Sequence, residues 1–324
     1  DVSDLNLLLE VHGMLSEKRP MLFLDEIQNI SGWEKFARRL ADNKYRVYIT
    51  GSNAKMLSSD VATTLGGRYI TKHVLPFNFH EFLLANGVEY DNDKLFSTAF
   101  RAEVQRYFAN YYRFGGFPES ATLKAKRDYL TSVYQKIYLG DIAARHRVDN
   151  TFALRILFRK LAESVKQPVS FTRLSNIVAS TGAKIGKSTI INYMDYCREA
   201  FLIYPIKNIA DNLTQRETNS KYYFVDNGII SLLALDVDTS LLENMVAIEL
   251  IRRYGVTDQV FFYNKGVEVD FYVPEEALAI QVSHTPHKTD DTWQRESSAL
   301  VKLSNQLDCR QLLILSYEEE GSSQ

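Results

Sequence analysis

Met21-Leu22-Phe23-Leu24-Asp25-Glu26 decides the reading of this chain. Four apolar residues follow Pro20 without alternation, the pattern of a strand buried on both faces, as in a parallel sheet. Two carboxylates close the run, and a strand of that kind delivers its last residues to the sheet edge where ligands bind. Upstream, residues 5–15 read as a helix ending near Gly13 or in the turn around Pro20. Downstream, Trp33 to Leu40 reads as an amphipathic helix, and Arg46-Val47-Tyr48-Ile49-Thr50 as a second buried strand closed by Gly51-Ser52-Asn53. A helix is expected from about Ala54 to Leu65, and a third strand from Thr71 to Leu75, stopped by Pro76. Strand, helix, strand, helix, strand predicts a layered α/β unit.

The run ending in Asp25-Glu26 has the form of a Walker B motif. At such an edge Asp25 can hold the magnesium of a bound nucleotide, usually through water, and Glu26 can polarise the attacking water as a general base. The plainer alternative is that two acids simply close a strand. On the next strand, Asn53 or Ser52 can hydrogen-bond that water or the γ-phosphate, the role called sensor 1. Arg68, in Leu65-Gly66-Gly67-Arg68-Tyr69, can stabilise charge on the γ-phosphoryl group from a neighbouring subunit, which implies a homo-oligomer. The alternatives there are a surface salt bridge for Arg68 and a plain turn for the two glycines.

These residues resemble the prokaryotic AAA-type ATPases joined to the domain of unknown function 4143. The resemblance starts at Leu24-Asp25-Glu26-Ile27-Gln28-Asn29-Ile30 and Gly32-Trp33-Glu34. It continues through Ile49-Thr50-Gly51-Ser52-Asn53, Gly67-Arg68-Tyr69-Ile70, Pro76-Phe77 and Glu81-Phe82. Further on it runs through Gly115-Gly116-Phe117-Pro118-Glu119, Tyr138-Leu139-Gly140-Asp141-Ile142 and Phe224-Val225-Asp226-Asn227-Gly228. Leu242-Glu243-Asn244, Glu268-Val269-Asp270-Phe271 and Ile280-Gln281-Val282-Ser283 complete it, so it covers nearly the whole chain in order. The resemblance implies an ATPase that uses ATP and Mg2+.

Such an enzyme grips phosphate with a G-x-x-x-x-G-K-[ST] loop upstream of the Asp-Glu strand. Only about 20 residues precede that strand here, and none contains the loop. Gly182-Ala183-Lys184-Ile185-Gly186-Lys187-Ser188 is a decoy: three residues rather than four separate its glycines, and it follows a helix rather than a strand. The chain also begins with Asp rather than Met. The expectation is that the loop lies upstream of Asp1, and that these residues alone bind ATP poorly and are inactive.

Residues 77–145 read as helices, broken at 87–93 and at Gly115-Gly116-Phe117-Pro118. From 151 the order is a helix to 166, a helix over Phe171–Ala179 capped by Ser170, and a third helix capped by Ser188. Ile190, Met194, Cys197 and Phe201 fall on one face of that third helix. A strand over Phe201–Ile206, a polar loop and a strand over Tyr222–Val225 complete the plan of a winged helix. That plan implies duplex DNA binding, with Lys184, Lys187 and Asn192 as exposed candidates, although winged helices also serve as protein-protein modules. The last section resembles the PD-(D/E)xK restriction-endonuclease-like fold. It places Glu243 on a helix and Glu268 and Asp270 on one face of a strand, since side chains alternate. The usual carboxylate and lysine positions carry Gln281 and Ser283 instead. Cleavage is therefore doubtful, and the favoured reading is that Glu243, Glu268 and Asp270 are a fold-stabilising remnant.

The chain has 324 residues, 45% hydrophobic, 24% charged, with a net charge of −2. At roughly 150 residues per domain, that is about two domains. The neutral total hides an asymmetry. Residues 145–221 carry 13 Lys and Arg against 6 Asp and Glu, whereas residues 222–324 carry 7 against 17. Two distant cysteines, Cys197 and Cys309, exclude a disulfide scaffold and a zinc cluster and fit the cytoplasm. No apolar run approaches the ~18 residues that span a bilayer, so no membrane partner is expected. The expected organisation is a partial AAA-type core with a parallel sheet over 1–85 and a helical lid over 86–150. A winged helix over 151–225 and a nuclease-like α/β domain over 226–324 follow.

Overall fold

Alternation, absent from the sequence of the Asp-Glu strand, governs how it is buried. In a computed structural model of the chain, β1 (Met21–Leu24) and β2 (Arg46–Ile49) pair in parallel, Met21 against Arg46 through Leu24 against Ile49. The structure describes residues 5–52, 59–183, 185–235, 237–256, 258–284 and 291–317. Leu22 and Leu24 turn inward, while Phe23 is 72% and Tyr48 53% exposed, their rings stacked at 5.0 Å. The expectation of a strand buried on both faces is thus corrected: among the described residues only one face of this pair is covered. The expected third strand over 71–75 is also absent, since those residues form no ladder and Val74 stands exposed.

The chain divides into two compact units, the first comprising 1–74 and 198–201, the second 75–197 and 202–324. In the first, the helix Trp33–Asp42 buries Trp33, Phe36, Ala37 and Leu40. That i, i+3, i+4, i+7 spacing makes one apolar stripe. It packs with Leu22, Leu24, Ile27, Val61 and Leu65 into a small core.

In the second unit seven strands form one sheet. They are β3 (Val169–Ser170), β4 (Ile203–Asn208), β5 (Asn219–Phe224), β6 (Phe261–Asn264), β7 (Glu268–Val273), β8 (Leu278–Ser283) and β9 (Gln311–Ser316). Their spatial order is β3-β5-β4-β6-β7-β8-β9. The β4–β6 and β8–β9 pairs are parallel and the rest antiparallel, so the sheet is mixed and mainly antiparallel. The basic and acidic stretches of sequence therefore share a sheet, joined where Lys207 and Asn208 pair with Phe261 and Phe262. The expected polar loop over 210–220 contains a short helix, Leu213–Thr218. Asn212 accepts from the Gln215 amide and Gln215 answers from its side chain, a capping box that reading the segment as merely polar overlooks.

The motifs around residues 115, 226 and 244 meet in the interior of this unit. Asp226 accepts from the backbone N–H of Gly116 and of Gly228, each at 2.7 Å. The Asn244 side chain accepts from Phe224 N at 2.7 Å and donates back to Phe224 O at 2.9 Å and to Asn227 Oδ1 at 3.0 Å. Asn227 in turn donates to the carbonyls of Tyr112 and Leu241. Glycine is required at 116 because a Cβ there would lie 2.1 Å from the Phe77 carbonyl oxygen. Buried polar groups are tolerated when each is partnered, as here.

Candidate functional site

The end of β1 carries the first candidate site. Leu22 and Leu24 anchor the strand in the core, which leaves Asp25 and Glu26 exposed at its C-terminal edge. The Thr50 amide donates to Leu24 O at 3.0 Å, extending the pairing by one residue and setting the Thr50 hydroxyl beside both acids. That hydroxyl donates to Asp25 Oδ1 and accepts from the Glu26 amide. Glu26 takes a left-handed backbone, φ 49 and ψ 38, which turns the chain into the short 3-10 turn Ile27–Asn29. For a residue with a Cβ that conformation costs on the order of 1 kcal/mol. Its carboxylate accepts from Ser52 Oγ at 3.0 Å and from Gln28 Nε2 at 2.5 Å. Two acids, a hydroxyl from the neighbouring strand and a serine two residues on are thus joined in one hydrogen-bonded edge. Such an edge can orient a water or a hydrated cation.

The Ser52 hydroxyl donates to Glu26, whereas Asn53 lies outside the described residues. Thr50 is the residue that sequence reading missed, although its place at the end of the strand expected over 46–50 was the available signal; in the structure it lies one residue past β2. Arg68 pairs with Asp42, Nε to Oδ1 at 2.6 Å, and donates to Gly66 O at 3.2 Å. Within the chain it is a surface ion pair, worth on the order of 0–1 kcal/mol, and none of its described bonds reaches Asp25 or Glu26.

In the second unit, Lys187 opens the helix Lys187–Glu199 and Asn192 lies on it; both are exposed, while Ile190, Met194 and Cys197 are buried on the opposite face. Phe201 falls past the helix end, in a left-handed turn. Lys184 lies outside the described residues.

Glu243, Glu268 and Asp270 do converge, and they converge on a residue that sequence reading passed over. Lys221, on β5, is completely buried. Its Nζ stands 3.2 Å from Glu243, 3.2 Å from Glu268 and 3.1 Å from Asp270. Tyr223, two residues along β5 and so on the same face, donates to Glu243 at 2.7 Å. Burial alone would push the Lys221 ammonium down, and the surrounding carboxylates outweigh it and hold the group above its usual value. Burial, and then the charge of Asp270, push the Glu243 carboxyl up. The signal for Lys221 was a lysine two places from a tyrosine at the head of a buried strand. Gln281 is turned to structural use: its Oε1 accepts from Asp270 N at 2.7 Å, and its Nε2 donates to Glu268 O and Glu296. Among the described residues no group of three or more His, Cys, Asp and Glu side chains is arranged to hold a metal ion. No helix among them is long and apolar enough to cross a membrane.

An AAA domain matches residues 2–83, and a domain of unknown function (DUF8612) matches residues 105–241. The second match carries the number 8612, where the resemblance named 4143. An uncharacterized protein of Methanocaldococcus jannaschii is 32% identical over 329 aligned positions, covering 99% of this chain and 73% of that protein. An uncharacterized protein of Haemophilus influenzae is 34% identical over 302 positions, covering 90% of this chain and 73% of that protein. With its Asp-Glu strand inside the matched AAA domain, the chain belongs to the family of these two proteins, an AAA domain joined to a domain of unknown function.

Proposed function

We propose that this chain supplies the water-activating edge of an ATP-hydrolysing site that uses Mg2+. The observation that supports this most directly is the hydrogen-bonded edge in which Thr50 holds Asp25 and Ser52 holds Glu26. Bound magnesium would neutralise charge on the β- and γ-phosphates. Asp25 would hold its hydration shell, and Glu26 would take a proton from water. The bonds from Ser52 and Gln28 both fall on Glu26 Oε2 and orient the carboxylate, whose other oxygen takes the proton in this reading. Arg68 acts in trans in this reading, from a second copy, and must first leave Asp42. No G-x-x-x-x-G-K-[ST] loop occurs in the 324 residues, so phosphate gripping is assigned to none of them.

The test joins these residues to a segment that carries a G-x-x-x-x-G-K-[ST] loop and measures hydrolysis. Glu26→Gln should lower the rate by 100-fold or more, as expected for loss of a general base (~10²–10⁴). Hydrolysis unchanged by Glu26→Gln would remove Glu26 from the mechanism.

A second reading, duplex DNA binding, is favoured by one observation. The helix Thr151–Glu163, β3, the helices Phe171–Ser180 and Lys187–Glu199, β4 and β5 follow one another in winged-helix order, with β3 and β4 flanking β5. Lys187 and Asn192 lie exposed on the third helix of that series. Lys187→Glu should weaken duplex binding and lower its salt dependence by about one phosphate contact, a slope change of ~0.9. Binding that ignores both salt and this substitution would refute the reading.

A further inference from the structure

The acidic cluster of the second unit is filled by a cation of the chain's own. An ammonium has three N–H donors. Those of Lys221 face three carboxylates, one from the helix Asp238–Tyr254 and two from β7, at 3.1–3.2 Å. Two further bonds hold the cluster in place, one on the Glu243 oxygen that faces Lys221 and one on Asp270. Tyr223 donates to Glu243, and Val282 N donates to the second oxygen of Asp270 at 2.9 Å. A catalytic metal needs an open coordination position, and its ligands must be free to turn toward it.

Lys221 cannot step aside easily. It sits on β5, which is hydrogen-bonded on both sides, to β3 and to β4, and its side chain is wholly enclosed with the ammonium 5.4 Å from the Phe262 ring. A divalent ion placed among the same oxygens would sit within a few ångströms of a buried positive charge, in a setting where water screens little. Gln281, at the position where a third carboxylate would stand, is committed to the β7 backbone and to Glu296.

We infer that Lys221 is the resident cation of this site, so that the cluster is a metal-independent ionic lock. The lock ties β5, from the basic stretch, to the helix Asp238–Tyr254 and β7, from the acidic one. It follows that removing the ammonium should turn the cluster into a metal site.

Mn2+ binding, followed by electron paramagnetic resonance and by the melting temperature, tests this. In the wild-type chain, Mn2+ binding should be the same with and without Asp270→Asn; the comparison sets aside any Mn2+ held at Asp25. Lys221→Ala should lower the melting temperature and should gain a Mn2+ site at least tenfold tighter than any wild-type binding that depends on Asp270. Mn2+ should raise its melting temperature, and adding Asp270→Asn should abolish that gain. If Lys221→Ala does not fold without metal, recovery of its folded circular dichroism in millimolar Mn2+ is the expected result. Stoichiometric Mn2+ binding by the wild type that Asp270→Asn removes would overturn the inference, as would a Lys221→Ala chain that Mn2+ leaves unchanged.

Discussion

Raising the pH from 5 to 7.5 should weaken the second unit through one carboxyl. Asp226 is buried between Gly116 and Gly228, and its two N–H partners pull its pKa down while burial pushes it up. Burial prevails, and the carboxyl rises from 3.8 to about 6. The folded state therefore holds this proton more tightly than the unfolded chain does. The sign follows: the contribution is fully present below pH 3.8 and is lost as pH rises through about 6. Two pKa units correspond to about 3 kcal/mol, roughly half of it lost between pH 5 and 7.5 and the rest below pH 5. Asp226→Ala cancels the titrations that both proteins share. The chain has two tryptophans, and Trp33→Phe leaves Trp293 on the helix Asp291–Ser304 as the reporter of the second unit. Urea unfolding followed by its fluorescence should show the wild type's advantage over Asp226→Ala shrinking as pH rises. An advantage that stays flat or grows between pH 5 and 7.5 would refute the balance of burial over hydrogen bonding.

Asn244→Ala removes three buried hydrogen bonds and leaves Phe224 N–H unpaired; at ~1 kcal/mol per bond plus the cost of the orphaned group, about 3–5 kcal/mol should be lost in the same urea assay. Gly116→Ala forces a Cβ onto the Phe77 carbonyl and should cost several kcal/mol, whereas Gly140→Ala, with open space around its Cβ in a helical segment, should gain up to about 1 kcal/mol. The pair separates a crowded glycine from an idle one by melting temperature alone. Thr50→Val removes the hydroxyl that bridges Asp25 and the Glu26 amide; because Thr50 is exposed, stability should move by less than about 1 kcal/mol, while hydrolysis in the assay above should fall by roughly 10- to 100-fold.

The strand at 21–24 was legible because an apolar run between Pro20 and two acids has few other uses, and the acids at its end followed from it. Its exposed face was not legible. A strand's hydrophobicity reports what it can bury, and Phe23 and Tyr48 cover part of their exposed faces by stacking on each other. The strand expected at 71–75 did not form although its residues favour one, because strand propensity depends on context more than on residue type. The stripe of Ile190, Met194 and Cys197 was readable because helical periodicity is local. The clasp of Asp226 on Gly116 joins residues 110 apart, and Lys221 meets Asp270 across 49. No periodicity marks contacts of that range. The motif residues were visible as unusual, but what they touch was not.

The charge asymmetry sets a basic stretch ending at 221 against an acidic one beginning at 222. The structure gives that boundary a different meaning. Lys221, the last residue of the basic stretch, is the cation that three acids of the other stretch enclose. The neighbouring strand β4 carries the sheet across to β6. A buried Glu243 without Lys221 would be an uncompensated charge, which costs about 3–5 kcal/mol when one member of a buried pair is removed. Replacing the whole pair by apolar groups is often neutral, so such a lock contributes little net stability over an apolar core. Its effect is to favour the pairing of β5 with the helix Asp238–Tyr254, because that registry leaves neither buried charge, Lys221 or Glu243, alone. The near-zero net charge of the chain is thus met in part inside the fold, at one ammonium.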